Sequence, residues 1–520
     1  MRPQIHKSKS SQTKPFKIRT DDNHSGKIRL LIVVLLILAE MTIFALLYVW
    51  LVKVFWYVLI ISYVLSFISL FGIINSNKNS NSKAVWCVLI LVLFPIGFFL
   101  AFLSDEKVFF FRHRKRYDQI FNSTKDIIPI NNTFNNQYSS YLLSVGGFQT
   151  YVNTKIHYFS YGNQLFDDIM SEIMNAKKYI FLEYFIISDG RLLERLLALL
   201  EMKVKEGVEV NIIYDDMGSA KTLSAKTILR MKKSGINVYS FNNLIPVFAL
   251  VMNYRDHRKF CIIDGTIAYT GGSNIADEYV NERRNYGFWK DNGIKIEGEA
   301  VSTYTLAFLR QWEFIHNSPI NYQKYLDIIP NEVNTFEEAD EITIPYVDGL
   351  DYVNNIGKEM YMKMISDATE KLYIMTPYLV LDDTMLNLLA IKAKSGVDVR
   401  IILPMNPDKK FVYMVSRYNA EKLMKSGVRV YLLKSSFLHS KVVISDSRAI
   451  VGSINMDLRS FYQQFESAVF FTGLELVTSV YNDFEESFSL SNELKEIDIK
   501  KHSPFFGIFV YFLMFFSPLM

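Results

Sequence analysis

The chain has 520 residues, half of them hydrophobic and 15% aromatic, which is material for more than one domain and too apolar for a purely soluble enzyme. Its 57 basic and 53 acidic residues leave a net charge of +4, too mild to argue for a nucleic-acid partner. Two cysteines exclude a disulfide framework, and no Cys/His cluster has zinc spacing, so neither a structural metal nor a cofactor is expected.

Residues 1–29 form a basic tail carrying eight Lys/Arg, and a transmembrane module follows over 30–103. Its apolar runs, 30–51, 54–74 and 84–103, are each long enough at ~1.5 Å per residue to cross a hydrocarbon core of ~30 Å. The basic cluster Arg112–Arg116 lies beyond the third run. The positive-inside rule places both basic segments in the cytoplasm, which requires an even number of crossings. Glu40 interrupts the first run, only Lys53 divides it from the second, and Pro95-Ile-Gly97 breaks the third. One run is therefore expected to be re-entrant or partial, in a multi-pass membrane protein with a cytoplasmic catalytic region.

Residues 104–140, basic and then Asn-rich, read as a linker. From 141 the texture becomes α/β. Strands are expected near Tyr179–Tyr184, Val208–Ile213 and Ile236–Tyr239, with helices between them. After an acidic connection at 326–342, the order is replayed near Leu372–Met375, Val397–Ile402 and Val428–Tyr431. This predicts two similar α/β halves, 141–325 and 343–500, forming a pseudo-dimer with mostly parallel central sheets covered by helices. The final segment, 503–520, is a Phe-rich apolar tail, too short to span and expected to associate with the membrane interface.

Each half carries the same short pattern. His257-Arg-Lys259 is followed by Asp264 and by Gly271-Gly-Ser-Asn274; His439-Ser-Lys441 is followed by Asp446 and by Gly452-Ser-Ile-Asn455. A lone His-x-Lys reads as a strand-edge surface pair, but its duplication in matched surroundings points to one site assembled from two halves. Two imidazoles and two ammonium groups suit a phosphodiester. Lysines offset charge building at phosphorus, one imidazole attacks, and the other serves as acid and then base.

The candidate catalytic set is His257, Lys259, Asp264, His439, Lys441 and Asp446. Within it the aspartates stand off the His/Lys face and are expected chiefly to pin local structure, Asp264-Gly265 as a hairpin turn. Glu466 and Asp291 are supporting candidates for orienting the imidazoles, and Ser273, Asn274, Ser453 and Asn455 for turn formation or phosphate contact.

The paired motifs resemble the phospholipase D superfamily. The wider layout is similar to bacterial cardiolipin synthases of that type, through Asn253-Tyr-Arg-Asp-His-Arg-Lys259, Gly271–Tyr279, Trp289-Lys-Asp291, Thr376-Pro-Tyr378 and Arg459-Ser-Phe461. The resemblance implies a phosphatidyltransferase. Two phosphatidylglycerols would give cardiolipin and glycerol through a phosphohistidine, with His257 the carried-over nucleophile. A different acceptor, as in a phospholipase D, is the main alternative, and a related nuclease a weaker one. Gln464 stands where an extended family pattern has Asn, and the run 30–51 is additional to a common two-helix layout. No protein partner is indicated.

Overall fold

The computed structural model describes residues 23–76, 80–92, 97, 111–129, 132–134, 136–152, 154–243, 254–283, 287–326, 334–336, 341–349, 352–434, 436–495, 509–510 and 513. Most of the basic tail, of the acidic connection and of the C-terminal segment lies outside these residues, as does nearly all of 93–103.

Helices α1 (Asn23–Val54), α2 (Tyr57–Ile74) and α3 (Ser80–Val92) come first. Within α1, Val34–Val54, and α2 as a whole are long and apolar enough to cross a membrane. Their large side chains face outward, Leu46 65% and Phe67 62% exposed, whereas the buried positions of α2 are Ser62 and Ser66. Small residues inside and large apolar ones outside is the pattern of helices packed within lipid. Of the third run, residues 84–92 lie within α3, and residue 97 is also described.

Residues 111–124, expected as linker, form α4 (Phe111–Thr124) instead. Tyr117, Ile120 and Thr124 share one buried face at helical spacing. Tyr117 stacks on Phe314 at 3.9 Å, and Arg310 Nε donates to Thr124 Oγ1 at 2.8 Å. The polar residues that suggested a linker occupy its other face. A second helix, α5 (Gln137–Gly146), begins where Asn136 accepts a hydrogen bond from Tyr138 N, a side-chain N-cap.

The first half then contributes β1 (Lys155–Phe159), α6 (Gly162–Asn175), β2 (Tyr179–Tyr184), α7 (Arg191–Lys205), β3 (Glu209–Asp215), α8 (Ala225–Lys233), β4 (Asn237–Phe241), β5 (Lys259–Ile263), β6 (Ile267–Gly271), β7 (Gly293–Glu297) and α9 (Val301–His316). The second contributes β8 (Thr343–Asp348), α10 (Ile356–Asp367), β9 (Lys371–Met375), α11 (Asp383–Lys394), β10 (Asp398–Pro404), α12 (Lys410–Met424), β11 (Arg429–Leu433), β12 (Val442–Ser445), β13 (Arg448–Gly452), β14 (Gln464–Thr472), α13 (Leu474–Ser489) and β15 (Ser491–Glu493). The first sheet runs β1-β7-β6-β5-β2-β3-β4, and the second repeats that order as β8-β14-β13-β12-β9-β10-β11, with β15 added at the edge. The predicted repeat of strands is therefore present.

The expectation of mostly parallel sheets is corrected. Only β2-β3-β4 and β9-β10-β11 run parallel; the other pairings within the two ladders are antiparallel. The physical reason is local. Each His-x-Lys strand returns through a tight hairpin, at Asp264-Gly265 and at Asp446-Ser447, and such turns join antiparallel neighbours only. Asp264 and Gly265 both have positive φ (54° and 71°), as the hairpin expectation required.

Alternation along β2 divides its neighbours between two cores. Tyr179 and Phe181 face a core shared with the second half, while Ile180, Leu182 and Tyr184 face α6 and α7. Helix α9 is buried continuously from Thr303 to Trp312, and Tyr304 Oη donates to Ala468 O at 2.7 Å. Thr270 and Ser467 hydroxyls meet at 2.9 Å where β6 and β14 abut.

Candidate active site

Two short cross-half ribbons assemble the site. Arg255–Asp256 pairs in parallel with Gln464–Phe465, so the next residues in register are His257 and Glu466; His257 N donates to Phe465 O at 2.9 Å. Reciprocally, Ser436–Leu438 pairs with Phe288–Lys290, which sets His439 beside Asp291, and His439 N donates to Lys290 O at 2.8 Å. Each histidine is thus held against a carboxylate of the opposite half.

The side chains follow. His257 Nδ1 lies 3.0 and 3.1 Å from the two Glu466 oxygens, and His439 Nδ1 lies 2.7 Å from Asp291 Oδ2. Both carboxylates are fully buried and both histidines are only 7% exposed. Ser453 Oγ donates to Glu466, and Asn292 N to Asp291 Oδ1 at 2.9 Å. Lys259 and Lys441, both buried, donate to the carbonyls of His257 and His439. Phe185 edges onto His257 at 5.1 Å, and Tyr279 and Trp289 each stand 5.4 Å from His439, so aromatic walls shield both rings from water.

Glycine is required where the carboxylates come close. A Cβ on Gly272 would stand 2.1 Å from Asp291 Oδ1, and one on Gly452 would stand 2.2 Å from Ser467 O, next to Glu466.

Burial dominates the electrostatics. It pushes the His257 imidazole well below its ordinary range, aided by the charges of Lys259 and Lys441. Burial and Lys441 bring His439 down to about 4, against the opposing pull of Asp291. The ammonium groups of Lys259 and Lys441 are lowered to about 7 and about 8, again mainly by burial, and Glu466 is raised well above the usual carboxylate range. The site therefore disfavours further positive charge. An entering anion reverses that balance.

Six of the twelve residues singled out from the sequence converge here: His257, Lys259, His439, Lys441, Glu466 and Asp291. Ser453 joins them through Glu466. Ser273 Oγ and Asn455 Oδ1 are buried without a hydrogen-bond partner among the described residues. Asn274 is a brace, accepting from Ile186 N at 3.0 Å and donating to Tyr279 Oη at 2.7 Å. Asp264 and Asp446 are not brought to the histidines, and their place in the catalytic set is corrected. Asp264 accepts from the backbone N–H groups of Lys177, Lys178 and Tyr179, and Asp446 from those of Thr369, Glu370 and Lys371. These contacts fix the beginnings of β2 and β9, one strand length (~13 Å) from the lysines.

Sequence reasoning missed Asn292, whose Oδ1 accepts from Lys441 N at 3.1 Å, and the buried Lys290–Asp483 pair at 2.5 Å behind it. The run Lys290-Asp291-Asn292 held that signal. Among the described residues, no group of three or more His, Cys, Asp and Glu is placed to hold a metal ion.

The family of the cardiolipin synthase, PLD-like domain, matches residues 169–312 and 361–488, together more than half the chain. A cardiolipin synthase of Clostridium perfringens is 34% identical over 472 residues, covering 85% of this chain and 95% of its own. Cardiolipin synthase 2 of Staphylococcus epidermidis is 38% identical, covering 66% of this chain and 70% of its own, and an uncharacterized protein of Streptococcus mutans is 36% identical, covering 83% and 95%. Among solved structures, phosphatidylserine synthase of Haemophilus influenzae has a TM-score of 0.54 at 13% identity, covering 74% of this chain and 98% of that one, a likeness of fold.

Proposed function

The chain belongs to the bacterial cardiolipin synthases of the phospholipase D superfamily and is a phosphatidyltransferase, and on that premise we propose that it joins two phosphatidylglycerols into cardiolipin with release of glycerol. The observation that carries this reading is the pair of cross-half contacts, His257–Glu466 and His439–Asp291, each beside a buried lysine.

In the first step Glu466 accepts a hydrogen bond from Nδ1–H of His257, which fixes the tautomer and leaves the Nε2 lone pair for attack on phosphorus. The bond from phosphorus to the glycerol oxygen breaks, its electron pair leaves with that oxygen, and His439 Nε2–H protonates it. The phosphatidyl group is then held on His257. In the second step neutral His439 takes the proton of the acceptor's glycerol hydroxyl, whose oxygen attacks phosphorus as the phosphorus–nitrogen bond breaks. Lys259 and Lys441 offset the equatorial charge in both steps. The lowered pKa of His257 suits the attack, since it keeps the imidazole neutral. His439, lowered to about 4 by burial and Lys441, needs the charge of the bound phosphodiester to raise it before it can donate a proton.

The rest of the arrangement fits a lipid substrate. α1 and α2 cross the membrane, the basic segments and both halves lie on its cytoplasmic side, and the halves, 141–325 and 343–500, act as a pseudo-dimer around one site. Of the C-terminal segment, Leu513 is buried among Tyr378, Val380, Val412 and Leu458; the rest of the membrane-associating tail expected over 503–520 lies almost wholly outside the described residues.

Purified protein in mixed micelles with phosphatidylglycerol alone tests the proposal. Cardiolipin and free glycerol in equal amounts are expected. Phosphatidic acid without cardiolipin would favour a hydrolytic enzyme.

A further inference from the structure

Transfer between two phosphatidylglycerols brings two phosphates to the site, and the histidines and lysines serve only the one that reacts. The other belongs to the acceptor and needs its own positive charge. This argument rests on the functional reading above.

Arg255 stands two residues before His257, on the ribbon that crosses to β14. It is completely buried, yet among the described residues neither Nε nor Nη2 has a hydrogen-bond partner. Its Nη1 donates to Asn242 O at 2.7 Å and lies 3.6 Å from Asp215 Oδ1, beyond hydrogen-bond distance. That carboxylate is already occupied, accepting from the backbone N–H groups of Met217, Gly218 and Asp256 at 2.9–3.1 Å. Burial also raises Asp215 to about 7, which weakens its charge near neutrality. Arg459, on the short helix Leu458–Tyr462, adds a second guanidinium whose Nε is buried without a hydrogen-bond partner among the described residues. Its charge is felt at Arg255, opposing the pull of Asp215 and Asp216.

The position fits a second anion. Asp215 ends β3, and Asn242 directly follows β4. Arg255 therefore lies over the carboxyl edge of the sheet, the same edge at which Tyr184 of β2 pairs with Lys259. A buried guanidinium with two N–H nitrogens lacking a hydrogen-bond partner among the described residues is unfavourable on its own. Its planar fork matches two oxygens of a phosphodiester.

We propose that Arg255, with Arg459 beside it, forms a second anion subsite that holds the phosphate of the acceptor phospholipid.

The test compares two reactions of the full-length protein in mixed micelles. Cardiolipin formation uses an acceptor that bears a phosphate, whereas exchange of labelled glycerol into phosphatidylglycerol uses one that does not. Arg255→Gln is expected to lower cardiolipin formation at least about tenfold relative to exchange, as loss of a charge-assisted contact would. Arg459→Gln, at a less buried position, is expected to act in the same direction and serves if the first variant fails to fold. Parallel loss of both reactions in folded variants, or loss of neither, would overturn the subsite alone. A wild-type protein that exchanges glycerol but forms no cardiolipin would overturn the acceptor assignment and the subsite with it.

Discussion

At the scale of single residues, the site depends on four side chains that burial makes responsive to charge. In the proposed mechanism His257→Ala removes the attacking nitrogen and His439→Ala the proton donor. Each is expected to lower transfer by about 10³-fold or more while the protein stays folded and membrane-bound, because general acid–base and nucleophilic roles carry effects of that size. Substantial residual activity in either variant, measured as cardiolipin formed per folded molecule, would sink the shared site. The pH profile follows from the lysines. An ammonium group acts on phosphate only while protonated, so its contribution is present below its pKa and lost above. With Lys259 at about 7 and Lys441 at about 8 in the free protein, kcat/KM is expected to fall across that alkaline range. The bound anion raises both groups, so kcat should hold to higher pH. A kcat/KM that is flat to pH 9 would contradict the assignment. Because the lysines supply the positive charge, EDTA is expected to leave the rate unchanged, and a loss restored by a divalent ion would argue otherwise.

At the scale of elements, the motif aspartates belong to architecture. Asp264 uses both oxygens to accept from the N–H groups that open β2. In Asp264→Asn one oxygen becomes an amide donor facing a backbone donor, so stability should drop by about 1–3 kcal/mol. Activity per folded molecule should hardly change, and denaturant melts paired with initial rates would separate the two effects. These roles were legible in the chain itself, since the offset of seven from His257 and the Asp264-Gly265 turn are local patterns. So were the β2, β3 and β4 strands and their replay. Sheet direction was harder to read, because the alternation of strands and helices says little about how a strand returns after its hairpin. Helix α4 was hidden by composition, with Tyr117, Ile120 and Thr124 set among basic and amide residues. The partners of the histidines were least legible. Glu466 and Asp291 could be picked as carboxylates near the motifs, but His257 meets Glu466 across 209 positions through a two-residue ribbon without a composition of its own.

At the scale of the whole molecule, the same reciprocity decides where a complete site can exist. His257 needs Glu466 and Ser453 from the second half, and His439 needs Asp291 and Asn292 from the first. The shared core around α9 and the contact of Thr270 with Ser467 hold the two halves of one chain together. A site built in this way is complete within a single chain, so chains carrying different defects have nothing to exchange. Mixing or co-expressing His257→Ala with His439→Ala should therefore give no cardiolipin above that of each variant alone. A site shared between chains predicts the reverse, because one combination of halves from the two variants would carry both histidines. Recovery approaching a quarter of the wild-type rate would show that halves pair between molecules. It would make the reciprocal carboxylate contacts a feature of an assembly and not of the chain.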